Sequence, residues 1–272
     1  MPISVAEFDY IRKLVYDRTG VFLSEDKSYL VESRLNVLAK ETGANSVSGL
    51  VAQLKQKPFS PLHKPIVEAM MTNETFFFRD VQPFEILKTF IIPELLKKRQ
   101  GDRTLKIWCA ACSSGQEPYS IMMLLREYFP QLANWKVQLI ASDISTAMLD
   151  RATSGIYAQQ EVNRGLPTAF LHKYFQHCGH KWQIKKEIRQ SIEFRQINLT
   201  ESFDFMSQMD IIFMRNVLIY FDIQTKKSIF AKVRRVLRPD GYLFLGGGET
   251  TVNLDSAFEL VQFDKGVCYK LR

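Results

Sequence analysis

The chain has 272 residues, 46% hydrophobic and 24% charged, enough for one large domain or a medium one with a small companion. No apolar run reaches the length of a membrane span, the start MPISVAEFDY lacks the basic lead and apolar core of a signal peptide, and four cysteines do not make a disulfide scaffold, so a cytoplasmic protein is expected. The net charge of +7 falls after residue 75, and six Lys or Arg against two Glu between 172 and 195 fit either an acidic partner, nucleic acid or protein, or a solvated face.

In chain order, Ser4 and Glu7 spell a capping box, Phe8, Ile11, Leu14 and Val15 follow helical spacing, and Gly20 suits the stop. A second helix is expected over about 26–42, with Gly43 after it, and shorter helices over 46–54 and 61–71. These make an all-helical N-terminal domain, residues 1–75. A helix over 81–99 leads into alternating signals. Strands are expected at 105–109, 137–141, 192–197, 211–214 and 242–245, with helices near 119–128, 145–153 and 225–237 and a turn at RPDG. Such alternation argues for an α/β domain, residues 76–272, with a parallel sheet covered by helices. FELVQF and VCYKLR, joined by DKG, read as a C-terminal antiparallel hairpin. HKWQIKKEIRQSIEF reads as an inserted antiparallel β-subdomain of about 172–195.

The loop after the first strand, WCAACSSGQEPYS (108–120), carries two competing readings. Cys109 and Cys112 outline a thiol redox site, but that chemistry belongs on a small fold with the pair near its start; buried small fillers are the better reading. Small residues with Gly115 let a ligand approach the backbone, and the absence of G-x-G-x-x-G disfavours a dinucleotide. Glu117 suits a cationic ligand, and Asp143, ending the second strand, suits ribose hydroxyls. S-adenosylmethionine has both features. Structural alternatives are a first-turn helix acid for Glu117 and a helix N-cap for Asp143. His172, His177, Cys178 and His180 fit no standard zinc spacing, so no metal is expected.

MTNETFFFRD (71–80), AACSSGQEPYSI, ASDIS, INL and FMRNVLIYF together resemble the chemotaxis receptor glutamate methyltransferases, the CheR family. The resemblance covers nearly the whole chain. It implies a Rossmann-like S-adenosylmethionine-dependent methyltransferase sheet, and a protein-glutamate O-methyltransferase that esterifies glutamate side chains of methyl-accepting chemotaxis proteins for sensory adaptation, releasing S-adenosylhomocysteine. It implies cofactor contacts at Asn73, Thr75, Arg79, Gly115, Glu117, Asp143, Asn198, Leu199, Arg215 and Asn216, and places Arg79 and Tyr220 beside the transferring methyl group. The structural alternatives are an Arg79–Asp80 pair and a Tyr220 packed at a strand end.

The inserted sheet is short. Members that grip a receptor tethering peptide carry a longer loop there, so direct recognition of the receptor's cytoplasmic methylation helices is expected, by a monomer, without membrane insertion or nucleic acid. Lys27 and Arg34, seven apart, could offer a basic helix face to such an acidic bundle. The competing classes are a nucleic-acid methyltransferase, disfavoured by RNVLIYF where an N-P-P-Y-like turn is needed, and a non-catalytic cofactor-sensing module.

Overall fold

Ser4 and Glu7 cap the first helix reciprocally: the Ser4 hydroxyl accepts the Glu7 N–H at 3.3 Å and the Glu7 carboxylate accepts the Ser4 N–H at 2.8 Å. The computed structural model describes all residues except Met1, Pro2, Asn45, Pro58, Phe59 and Lys265. Two compact units are present, Met1–Thr72 with Tyr220–Lys226, and Asn73–Ile219 with Lys227–Arg272. The expected break at 75/76 moves to 72/73 because the Asn73 carbonyl accepts the Ser113 hydroxyl, tying that segment to the sheet unit.

The helical unit holds α1 (Val5–Thr19), α2 (Ser28–Glu41), α3 (Val47–Gln56) and α4 (His63–Ala69). Gly20 ends α1 in the left-handed conformation. Phe8, Ile11 and Val15 of α1 bury with Val31 and Leu35 of α2, Leu50 and Leu54 of α3, and Ile66 of α4. Residues 220–226 join this unit through backbone and side chain: the Phe22 N–H donates to the Tyr220 carbonyl, and the Tyr16 hydroxyl to Asp222 at 2.7 Å. The expected Lys27–Arg34 face does not form. Lys27 lies in a 3₁₀ turn before α2, and Arg34 donates to the Met71 carbonyl.

The sheet unit starts with one continuous helical stretch, α5 (Gln82–Ile86), a π turn (Leu87–Ile91) and α6 (Ile92–Lys98). The helical signal over 81–99 does not show the π turn. Pro93 lacks an N–H to donate, and widening the preceding turn accommodates it without breaking the helix. Then follow β1 (Thr104–Ala110), α7 (Gln116–Tyr128), β2 (Lys136–Asp143), α8 (Thr146–Ser154), β3 (Ile156–Tyr157), α9 (Gln159–Asn163), α10 (Thr168–Tyr174), β4 (Phe175–Cys178), β5 (Lys181–Ile184), α11 (Lys186–Arg189) and β6 (Ile192–Gln196). The chain closes with β7 (Met209–Met214), α12 (Ile223–Val236), β8 (Leu237–Leu245), β9 (Phe258–Phe263) and β10 (Gly266–Leu271).

Seven strands form one sheet in the order β6-β2-β1-β7-β8-β10-β9. The first five are parallel and β10 runs antiparallel to both neighbours. β7, MDIIFM, is buried at every position, as a central parallel strand must be. RPDG is no free turn: it bulges within β8, where pairing jumps from Met209↔Leu237 to Ile211↔Tyr242. The β9–β10 hairpin forms, although Lys265 of its DKG turn lies outside the described residues. The inserted sheet, in the order β3-β5-β4, begins earlier than the expected 172–195, at Ile156, and ends before Ile192, which starts β6 of the main sheet. The short Ile156–Tyr157 strand has too few residues to show a period in sequence.

Arg99, just after α6, clamps β7 to β8. Its Nε donates to Asp210 at 2.8 Å, and its two terminal nitrogens donate to Asp240 at 3.0 and 2.6 Å. Asp210 is fully buried and also accepts the Lys106 N–H at 2.8 Å. Replacing Arg99 by methionine is expected to destabilise the sheet unit by about 2 kcal/mol, less than a fully orphaned buried carboxylate costs, because Arg238 remains beside Asp210. Urea unfolding measures it, and a loss under about 0.5 kcal/mol means Arg238 takes over the role.

Candidate active site

The sheet reverses its order between β1 and β7, and a ligand binds at the strand ends beside such a switch point. The loop leaving β1 turns hard there. Ala111, Ser113 and Gly115 all have positive φ, at 56°, 50° and 95°. A side chain at Gly115 would come 2.9 Å from the Ala152 Cβ, so only glycine fits. The loop is fixed from outside. Tyr157 donates its hydroxyl to the Ser114 carbonyl at 2.6 Å, and Tyr119 to Ala152 at 2.6 Å. Loop backbone strain persists when the surroundings over-determine it in this way.

Cys109 and Cys112 are free and buried, and burial pushes both thiols well above their ordinary value. That direction disfavours thiolate chemistry and fits the reading of both as buried fillers.

The acids and cations assemble across the switch point. Arg215 follows β7 directly, with its side chain 1% exposed. It donates to Glu117 at 2.7 Å, to Asp80 at 2.7 Å, and to the Arg79 carbonyl at 3.0 Å. Asp80 therefore pairs with Arg215, not with its neighbour Arg79. Burial pushes the Glu117 carboxyl up, and the Arg215 guanidinium opposes that push. Asp143 ends β2 and accepts the N–H groups of Ser113 and Ser145 at 2.8 and 2.9 Å. The N-cap of α8 is Ser145, whose hydroxyl accepts the Met148 N–H, so Asp143 does not act as the cap.

Residues 73–80 form a second wall. The Asn73 carbonyl accepts the Ser113 hydroxyl at 2.9 Å, and the Phe78 N–H donates to Ser120 at 3.0 Å. Phe77 packs edge-on to Tyr157 and Phe175. Arg79 donates to the Glu74 carbonyl at 2.8 Å and lies 5.5 Å over Phe76, whose ring also carries Arg164 at 4.2 Å. Arg164 in turn pairs with Glu74 at 2.6 Å. Thr75 is half-buried in this segment.

The remaining expected residues are placed unevenly. Asn198 and Leu199 follow β6 at the same strand ends, since Gln196 registers with Asp143 and the Ile197 N–H donates to the Asp143 carbonyl. Asn198 caps Thr200, and the buried Lys232 ammonium holds the Leu199 carbonyl at 2.6 Å. Asn216, with φ 59°, follows Arg215 in a loop whose N–H groups are held by Glu249. Tyr220 belongs to the other compact unit. Arg164 and Glu249 escaped the sequence reading, and Asp80 entered it only as a partner for Arg79. For Glu249 the only signal is the run of three glycines before it.

The donor set fits S-adenosylmethionine. Glu117 and Asp143 offer carboxylates to an ammonium and to ribose hydroxyls. Arg215 Nε is buried with no hydrogen-bond partner among the described residues, a spare donor for a carboxylate. The described residues hold no cluster of His, Cys, Asp and Glu that could bind a metal, and no helix among them is long and apolar enough to cross a membrane.

Residues 6–68 match the family profile described as CheR methyltransferase, all-alpha domain, and residues 73–267 match CheR methyltransferase, SAM binding domain. "Chemotaxis protein methyltransferase Cher2" of Pseudomonas putida is 41% identical over 270 residues, covering 98% of both chains. "Chemotaxis protein methyltransferase 1" of Pseudomonas aeruginosa is 41% identical over 276 residues, covering 100% of both. A protein of the same name in Vibrio cholerae is 36% identical over 273 residues, covering 99% of this chain and 98% of its own.

Proposed function

Since this chain belongs to the CheR methyltransferase family, we propose that its substrates are glutamate side chains of chemoreceptors, which it converts to γ-glutamyl methyl esters. It is an S-adenosylmethionine-dependent methyltransferase. The observation that carries the site assignment is Arg215, which joins the acid Glu117 to the segment bearing Arg79.

Bound S-adenosylmethionine supplies an electrophilic methyl group on a sulfonium that leaves as a neutral thioether. Glu117 and Asp143 bind its cationic and ribose portions, and Asn73, Thr75, Gly115, Asn198, Leu199, Arg215 and Asn216 shape the cofactor pocket. The substrate glutamate has a reference pKa of about 4.3, so at neutral pH it is already the nucleophile and needs no general base. A carboxylate oxygen forms the new bond to carbon, and no proton moves. The protein's work is to orient that oxygen and strip its water, and positioning of this kind can supply about 7–11 kcal/mol. Arg79 orients the carboxylate. Its guanidinium is already engaged by the Glu74 carbonyl and the Phe76 face, which restrains it from collapsing onto the nucleophile.

The docking partner is the acidic cytoplasmic methylation bundle of a membrane receptor, met by a monomer without a tethering peptide. The β4–β5 hairpin turns through Gly179 and His180 alone, which supports that reading. Lys173 and Arg195 are occupied by Glu127 and Glu193, leaving exposed Lys181 and Lys186 as the basic contacts. Incubation with methyl-labelled cofactor and receptor-rich membranes tests the proposal. Base-labile label in a receptor band is the expected result. Label in RNA overturns it, and cofactor binding without any label favours a sensing module.

A further inference from the structure

We infer that Glu249 is a positioning residue for methyl transfer, holding the loop that follows β7 through its backbone; this rests on the reading of Arg215 and Asn216 as cofactor residues. Five N–H groups converge on this one carboxylate. One oxygen accepts Val217 at 2.9 Å, Leu218 at 2.7 Å and Ile219 at 3.3 Å. The other accepts Asn216 at 2.8 Å and Gly246 at 2.7 Å. Two carboxylate oxygens offer about four lone-pair sites, so this acid is saturated by the protein and has none left for a ligand.

The geometry explains why an acid is needed. Four consecutive N–H groups, Asn216 to Ile219, point inward together, and Asn216 sits in the left-handed region with φ 59°. Neither sheet nor helix supplies acceptors for such a run, and a negative charge satisfies all four at once. Of the three glycines before Glu249, Gly246 serves the same contact. A side chain at Gly246 would lie 2.8 Å from the Asn216 nitrogen and 2.8 Å from the Glu249 carboxylate, so the turn must approach with bare backbone. The Glu249 N–H closes that turn on the Gly246 carbonyl at 2.9 Å. Glu249 thus sets where Asn216 and its neighbour Arg215 stand without touching the reaction.

Glu249→Gln keeps the shape, removes the charge and turns an NH₂ toward at least two N–H donors. In this variant, amide hydrogen exchange at residues 216–219 is expected to accelerate while β1 and β7 amides keep their protection. S-adenosylhomocysteine binding by calorimetry is expected to weaken, and kcat to fall about tenfold, with Glu249→Asp recovering part of the loss. Wild-type exchange at 216–219 together with wild-type kcat overturns the inference. So does loss of protection across the whole sheet, which assigns Glu249 to general stability. Absence of a base-labile ester with the wild-type protein counts against the substrate reading alone, because the exchange and calorimetric arms still decide Glu249.

Discussion

Replacing Arg215 by methionine is expected to cost about 3–5 kcal/mol of stability, the penalty for leaving a buried charge without its partner. The Arg215 side chain is 1% exposed and the Glu117 side chain 12%, so water screens little of their attraction. Asp80 is 47% exposed on its side, and its share of the loss is small. The loss is pH-dependent, and its sign is fixed. Burial already holds the Glu117 pKa above its ordinary 4.5, and Arg215 is the largest influence pulling it back down. Without Arg215 the folded-state pKa climbs further. A carboxyl with a raised folded pKa binds its proton more tightly folded than unfolded, so its penalty is complete above the folded pKa and fades as pH falls toward the unfolded value. Urea unfolding at pH 5 and pH 8 is expected to show the larger deficit at pH 8. The double variant Arg215→Met with Glu117→Gln is expected to regain most of the loss. A deficit that ignores pH and persists in the double variant means that Glu117 is not the group left uncompensated.

That network also marks what sequence could and could not reveal. Local signals were legible because neighbours in sequence make them: the Ser4–Glu7 box, the Gly20 stop, the alternation that builds the parallel sheet, and the final hairpin. Glu117 and Asp143 stood out because one lies in the loop after the first strand signal and the other ends the second. The partners that give them context did not. Arg215 lies 98 residues from Glu117 and 135 from Asp80, and no periodicity links them. Tyr220 could be read as packed at a strand end, yet Tyr220 and Asp222 pair with Phe22 and Tyr16, about 200 residues away in sequence, by hydrogen bonds that leave no compositional trace. Glu249 is the same case. Its five contacts are to backbone N–H groups, which every residue but proline carries, so nothing in RNVLI announces the acid that holds it.

Arg79→Ala is expected to lower kcat by about 100- to 1000-fold while changing S-adenosylhomocysteine affinity far less. The asymmetry follows from where the side chain is held. Its guanidinium spends one nitrogen on the Glu74 carbonyl and rests over Phe76, and Arg215, not Arg79, carries the buried pairing with Glu117. Removing it therefore leaves the acidic contacts intact, and on a turn at the surface of the unit it costs at most about 1 kcal/mol of stability. What disappears is a planar fork that fixes a carboxylate in two directions. Lysine offers a mobile point charge instead, so Arg79→Lys is expected to recover little of the rate. Arg164 gives an internal control, since it shares the Phe76 ring and pairs with Glu74. If Arg79 acts by orientation, Arg164→Ala loosens the same platform and lowers kcat in the same direction by a smaller factor. If Arg79 only closes the cofactor pocket, its alanine variant loses affinity and turnover by equal factors, and the orienting role fails.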